Sequence, residues 1–221
     1  FNSGMLKTAP YVIHNAVDST IFKPSTNIEE FKSSMKISPH RKTILLLANH
    51  LDAPRKGTKY AFAAVRAIKQ EFNPAIMLVG NQNKELLDSI KDFDVFSSGY
   101  LDSDSVKSLI FSAADIFLNC SLADNLPLTV LETSACGVPT VGFATGGIPE
   151  MVKHMESGYL VPQHDTGALV KGLRIALSND TARQWGKEAH RLMENNFSLD
   201  IMYRKHIDLY EKSIFEFKNR H

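Results

Sequence analysis

Only two cysteines, Cys120 and Cys136, occur in 221 residues, which is too few for a disulfide framework and fits a reducing compartment. Charge of one sign is also missing. Twenty-five Lys and Arg stand against 24 Asp and Glu, a formal net charge of +1, so nothing in the balance calls for a nucleic-acid surface or an anionic membrane patch. No apolar run approaches the ~20 residues of a membrane span. The eight histidines form no H-x3-H pair and have no cysteine at metal-ligand spacing, which argues against a zinc site. Also absent are a G-x-S-x-G elbow, a G-x-x-x-x-G-K-[ST] loop and a G-x-G-x-x-G turn after the first strand. Hydrolase, P-loop kinase and dinucleotide dehydrogenase readings lose their support with them. The chain opens on Phe1 with no initiating Met and no signal-peptide pattern, which suggests a piece of a longer polypeptide.

What is present is a regular alternation. After a connecting segment over 1–40, which carries the turn residues Asn15, Asp18 and Pro24 and a short helical pattern over 28–35, solid apolar runs begin. KTILLLA reads as a strand buried on both faces, and AIMLVG, DVFSSG, DIFLNC, PTVGF and GYLVP read as five further strands. Helical patterns over 57–72, 84–90, 105–113, 128–135 and 149–154 separate them. The first places Tyr60, Ala61, Ala64, Val65 and Ile68 on one stripe. Three further helices are expected over 166–177, 181–195 and 199–217. The fold class is therefore α/β, a Rossmann-like, doubly wound, parallel six-stranded sheet of order 3-2-1-4-5-6. Such a sheet binds ligands at the carboxyl ends of its strands, where the order reverses between strands 1 and 4.

That rule joins two loops, NHLDAPRKG after strand 1 and SLADNLP after strand 4. Arg55-Lys56-Gly57 ahead of a helix suits an anion such as a diphosphate, and it equally suits a solvated basic turn. Asp124 and Glu132, eight positions apart, read as two grips on a ligand lying over the helix start. They read as well as a helix cap and a surface acid. Asp102-Ser103-Asp104 has the D-x-D form that can hold a metal, but its place at a helix start favours capping. Gly146-Gly147, after strand 5, fits a plain turn or a close backbone approach to a ligand. Cys120 and Cys136 are expected as small buried residues.

On these residues the sequence resembles the C-terminal half of a GT-B glycosyltransferase of family four, the retaining enzymes that use nucleotide sugars. PYVIHNAVDSTIFKP resembles the family's interdomain segment, and NHLDAPRKG its diphosphate loop. ADIFLNCSLADNLPLTVLETSACGVPTVGFATGGIPEMV resembles its E-x7-E stretch and the glycine pair that follows. GYLVP and FSLDIMYRKHIDLYE also match. The resemblance implies three regions: a linker over 1–40, a nucleotide-sugar domain over 41–196 and a terminal helix over 197–221 that contacts an absent N-terminal domain. It also implies roles. Glu132 binds the ribose, and Asp124 with Asn125, Leu126, Pro127 and Leu128 contacts the transferred sugar. Arg55 and Lys56 neutralise the diphosphate. Ser97, Ser98, Gly99 and Tyr100 grip the base, and Gly146 and Gly147 line the donor site. No cofactor and no metal is implied. The expected partners are a UDP- or GDP-type sugar donor and a glycan or lipid-linked acceptor held by the absent domain. The expected place is the cytoplasm, at the inner face of a membrane in the full-length enzyme.

Two departures stand out. The first acid is Asp where Glu is commoner, and Asn49-His50 occupies the place of the family's Gly-Arg. Alternatives on the same scaffold are a nucleotide-sugar epimerase and a non-catalytic binding module. A GT-B sugar phosphorylase is disfavoured, because no segment resembles that class's cofactor lysine. The isolated chain is expected to be inactive, since the opposing wall that excludes water and positions an acceptor is missing.

Overall fold

The computed structural model describes residues 10–219; residues 1–9 of the expected linker and 220–221 of the expected terminal segment lie outside the described residues. Six strands, β1 (Thr43–His50), β2 (Ala75–Asn81), β3 (Val95–Gly99), β4 (Ile116–Asn119), β5 (Thr140–Phe143) and β6 (Gly158–Val161), form one sheet. Its order is β3-β2-β1-β4-β5-β6 with every pair parallel, as the alternation of apolar runs predicts.

Near-solid apolar strands require cover on both faces, and the helices supply it. Alternate residues of β1 enter two separate cores. Ile44, Leu46 and Ala48 pack with α2 (Thr58–Phe72) and α7 (Thr166–Leu177), whereas Leu45 faces the side of α4 (Asp104–Ser112) and α5 (Leu128–Ala135). Ile76 and Leu78 against Met77 and Val79 repeat that division on β2. α2 buries Ala61, Ala64, Val65 and Ile68, the stripe read from its spacing, together with Phe62.

The remaining helices are α1 (Ile28–Ser34), α3 (Lys84–Asp88), α6 (Ile148–Met151), α8 (Thr181–Asn196) and α9 (Leu199–Lys218). Lys32 of α1 is buried and reaches Asp115 Oδ2 (3.4 Å) and Arg41 O (3.2 Å), which ties the connecting segment to the sheet. Val17 pairs with Ser198 and so brings that segment beside the entry to α9. α9 itself buries no residue. Among the described residues no helix is long and apolar enough to cross a membrane.

Three boundaries differ from the sequence reading. β1 runs on to His50, because His50 keeps a partner in Asn81 beyond a register shift, so Asn49 and His50 belong to the strand and not to its loop. The short helix expected over 149–154 is Ile148–Met151, and a turn follows in which His154 Nδ1 accepts from Leu160 N at 3.1 Å. α3 ends at Asp88, one turn of helix, with Asn83 as its cap.

Candidate functional site

A cleft of about 360 Å³ opens at the carboxyl ends of β1 and β4, at the reversal point of the sheet. Its first wall is a 3-10 turn, Pro54–Lys56, which ends at Gly57 in the left-handed region (φ 62°). A Cβ at Gly57 would stand 2.0 Å from Cys120 O, so only glycine lets this turn settle against the end of β4. Leu122 N donates to Arg55 O at 2.7 Å and closes the same contact. Arg55 and Lys56 are thereby carried to the cleft.

The second wall is the loop from β4 into α5. Asp124 Oδ2 accepts from Lys56 Nζ at 3.0 Å, and its Oδ1 accepts from Asn125 N at 3.1 Å. Asp124 is therefore not a helix cap. The residue before α5 is Pro127, and no side chain caps the helix start. First-turn N–H groups left in that state attract anions. Pro127, Leu128 and Thr129 line the cleft there. The loop is held from behind by the turn after β5. Gly147 N donates to Asn125 O at 2.5 Å, and Thr145 Oγ1 donates to Ser121 O at 2.7 Å. Gly146 sits at φ 54°, where a Cβ would meet Asp124 O at 1.9 Å.

The third wall comes from α4, the second turn of α5 and the end of β3. Glu132, Lys107 and Tyr100 line it. Burial pushes the Glu132 carboxyl above its usual range, Lys107 opposes that shift and Asp104 adds to it. Lys107 Nζ lies 2.8 Å from Asp104 Oδ1, and this bond, with the nearby acids, raises the ammonium above its ordinary value. The cleft thus combines three cations, Arg55, Lys56 and Lys107, with two carboxylates, Asp124 and Glu132. That set can neutralise an anion and at the same time accept hydrogen bonds from hydroxyl groups.

Of the residues singled out from sequence, Arg55, Lys56, Asp124, Glu132, Tyr100, Pro127 and Leu128 meet in this one cleft. The others stand beside it. Ser97 accepts from the Gln82 amide, and Ser98 Oγ donates to Gly99 O at 3.0 Å. Gly99 precedes Tyr100 at φ 68°. Asn125, Leu126, Gly146 and Gly147 build the back of the β4–α5 loop; Leu126 Cδ1 lies where a Gly147 side chain would begin. In the D-x-D stretch, Ser103 is the α4 cap, accepting from Val106 N at 3.4 Å, and Asp104 holds Lys107. Among the described residues no group of three or more His, Cys, Asp or Glu is placed to hold a metal ion.

Lys107 is the functional candidate that the sequence reading missed. Its signal was the acid–base spacing Asp104 to Lys107, one helical turn apart. Both cysteines are buried and free, Cys120 with its thiol pushed far up by burial and Cys136 to about 11.

The family model described as "Glycosyl transferases group 1" matches residues 41–179. A curated relative, the N-acetyl-alpha-D-glucosaminyl L-malate synthase of Bacillus anthracis, is 24% identical over 213 residues, which cover 94% of this chain and 55% of the relative. The chain spans about half the length of the curated relatives it matches. Among solved structures, HepE of Anabaena in complex with UDP-glucose superposes with a TM-score of 0.76 at 19% identity, covering 91% of this chain and 57% of that one. The C-terminal domain of the group 1 family protein LpcC of Francisella tularensis superposes with a TM-score of 0.72 at 19% identity, covering 83% of this chain and 99% of that domain. The fold is one Rossmann-like half of a GT-B enzyme.

Proposed function

This chain belongs to the group 1 glycosyl transferases, and from that premise we propose that it is the donor-binding half of a retaining, metal-independent hexosyltransferase. Its ligand is a nucleoside diphosphate sugar, with residues 41–196 as the binding unit. The acceptor, a glycan or lipid-linked hydroxyl, is held by a further domain against which α9 packs.

One observation carries the reading. Lys56, Asp124 and Glu132 share a single cleft with the uncapped start of α5, at the reversal point of the sheet. A diphosphate placed over that helix start meets the helix dipole and the side chains of Arg55 and Lys56. The same charges stabilise the diphosphate as it departs with the electrons of the broken glycosidic bond, a contribution that is often the largest in catalysis. Glu132 accepts the ribose hydroxyl hydrogens. Asp124 and the backbone of Asn125, Leu126, Pro127 and Leu128 hold the sugar, and Gly146 and Gly147 fix that loop from behind. Tyr100, with Ser97, Ser98 and Gly99 behind it, borders the base. The UDP-glucose complex of HepE, a neighbour in fold, supports a donor of this class.

Calorimetric titration of the chain with UDP, GDP and ADP, with and without EDTA, tests the proposal on the wild type and on Glu132→Ala. At least one nucleotide should bind the wild type, independently of EDTA, and bind Glu132→Ala about tenfold or more weakly, a loss near 1.4 kcal/mol. No binding to the wild type, or equal binding to the variant, would remove the site assignment and leave a non-catalytic module. Product analysis on the longer polypeptide separates transfer from epimerisation.

A further inference from the structure

Within the donor cleft one charged side chain has no role in the reading above. Lys107 is the fourth residue of α4, and its neighbour Ser108 places Oγ 3.6 Å from Sγ of Cys136, the residue that ends α5. Both helices lead into strands of one parallel sheet, so they run in the same direction. One turn back from the Ser108–Cys136 contact stand Asp104 on α4 and Glu132 on α5. Asp104 and Glu132 thus stand at corresponding turns of the two helices, and Lys107, 2.8 Å from Asp104 Oδ1, lines the same cleft wall as Glu132.

From this arrangement, and resting on the donor-site reading, we propose that Lys107 is a positioning residue for nucleoside recognition. Braced by Asp104, it holds the Glu132 carboxylate toward the cleft as the ionised acceptor of the ribose diol. Without a cation there, Glu132 would be half-buried and opposed by Asp104, conditions that favour the protonated acid. A protonated Glu132 accepts poorly and offers the diol a competing donor. Burial already pushes Glu132 upward, with Lys107 as the opposing charge.

The other charged and titratable groups around Glu132 do not replace it. Lys56 is engaged by Asp124, and Arg55 lies on the turn across the cleft. Tyr100 lines the same wall with a phenol, which is not a cation. Cys136, one turn on, is a buried thiol. From α8, His190 Nδ1 lies 2.7 Å from Ala135 O at the far end of α5, where its Nε2 pairs with Glu194.

The test is UDP binding by the chain across a pH series, for the wild type, Lys107→Met, Lys107→Arg and Glu132→Ala, repeated with 2′,3′-dideoxy-UDP. Lys107→Met should bind UDP within about twofold of the wild type near pH 8 and about tenfold more weakly near pH 6, because the acid limb of binding moves upward. Lys107→Arg should restore the wild-type profile. The dideoxy analogue, with no diol to present, should not distinguish the Met variant from the wild type. An equal loss for Lys107→Met at every pH and with both ligands would overturn the proposal and make Lys107 a phosphate contact. An unchanged profile would overturn it as well. If Glu132→Ala binds UDP as well as the wild type, the donor-site reading itself fails and this inference with it. Loss in Glu132→Ala with no change in Lys107→Met sinks the inference alone.

Discussion

Lys56 Nζ lies 3.0 Å from Asp124 Oδ2, and the two side chains retain only 18% and 19% of their exposure. This ion pair links the turn after β1 to the loop after β4, across the point where the sheet order reverses. It also means that the cation proposed for the diphosphate is already engaged. On the proposed function, a diphosphate entering the cleft would compete with Asp124 for Lys56, and Asp124, once displaced, would be free to accept from sugar hydroxyls.

The exchange predicts opposite effects on two ligands. Asp124→Asn removes the competitor for Lys56, so UDP should bind equally or up to about tenfold more tightly, a gain of at most ~1.4 kcal/mol. The extra affinity of a UDP-sugar over UDP should shrink, because one hydroxyl acceptor is weakened. Without ligand the variant should be less stable, since a largely enclosed ammonium has lost its partner. Calorimetry with both ligands, and thermal melts with and without UDP, check this. Weaker UDP binding by Asp124→Asn would refute the exchange.

Glu132 offers a second prediction, on stability against pH. Its carboxyl is raised above the ordinary carboxylate range by burial. In the unfolded chain it ionises at the ordinary value, so the folded protein binds more protons in the window between the two values. Stability contributed by this group is full below the ordinary value and falls as pH rises through that window. Above it the fold carries an enclosed charge at a cost. Glu132→Gln should therefore raise the melting temperature near neutral pH by about 2–4 °C, the shift that ~1 kcal/mol gives in a chain of this size. The gain should vanish below about pH 4. The same variant should bind nucleotide more weakly, an exchange of function for stability.

The apolar runs made the sheet and its order legible, because a strand buried on both faces admits few other readings. KTILLLA and AIMLVG divide their residues between two cores as a parallel sheet demands. The meeting of Arg55, Lys56, Asp124 and Glu132 was legible for a topological reason, since the loops after strands 1 and 4 must share one crevice. Two things were not. The pairing of Lys56 with Asp124 depends on side-chain reach across that crevice, which spacing along the chain does not encode. Lys107 was hidden because a lysine three residues after an aspartate reads as a solvated helix pair until α5 is packed beside it.

The basic turn depends on one backbone position. Gly57→Ala would put a Cβ 2.0 Å from Cys120 O at a residue held at φ 62°. Backbone strain and overlap together should cost about 2–4 kcal/mol or detach the turn from β4. Detachment takes Arg55 and Lys56 out of the cleft, and UDP binding should then fall below detection while secondary structure by circular dichroism stays close to the wild type. Gly146→Ala, with its overlap on Asp124 O at 1.9 Å, should disturb the sugar side instead. It should reduce the increment of UDP-sugar over UDP more than it reduces UDP binding itself. Equal loss of both ligands in Gly146→Ala would count against assigning the β4–α5 loop to the sugar.

α9 provides the last prediction. Tyr203, Ile207, Tyr210 and Ile214 recur at spacings of four, three and four and are 53–61% exposed, while the helix buries no residue in this chain. A spacing of that kind makes a continuous apolar stripe, which in a water-facing helix has nothing to gain from its own fold. If the stripe serves the proposed further domain, its charged variants should be neutral here and harmful there. Ile207→Glu with Ile214→Glu should change the melting temperature of this chain by less than about 1 °C, the expectation for surface substitutions away from packed features. In a polypeptide that includes the further domain, the same pair should lower stability by several kcal/mol, because charges would then be enclosed at an apolar contact. A comparable loss in both would show that α9 supports the donor half itself, and the proposed packing of α9 on another domain would be withdrawn.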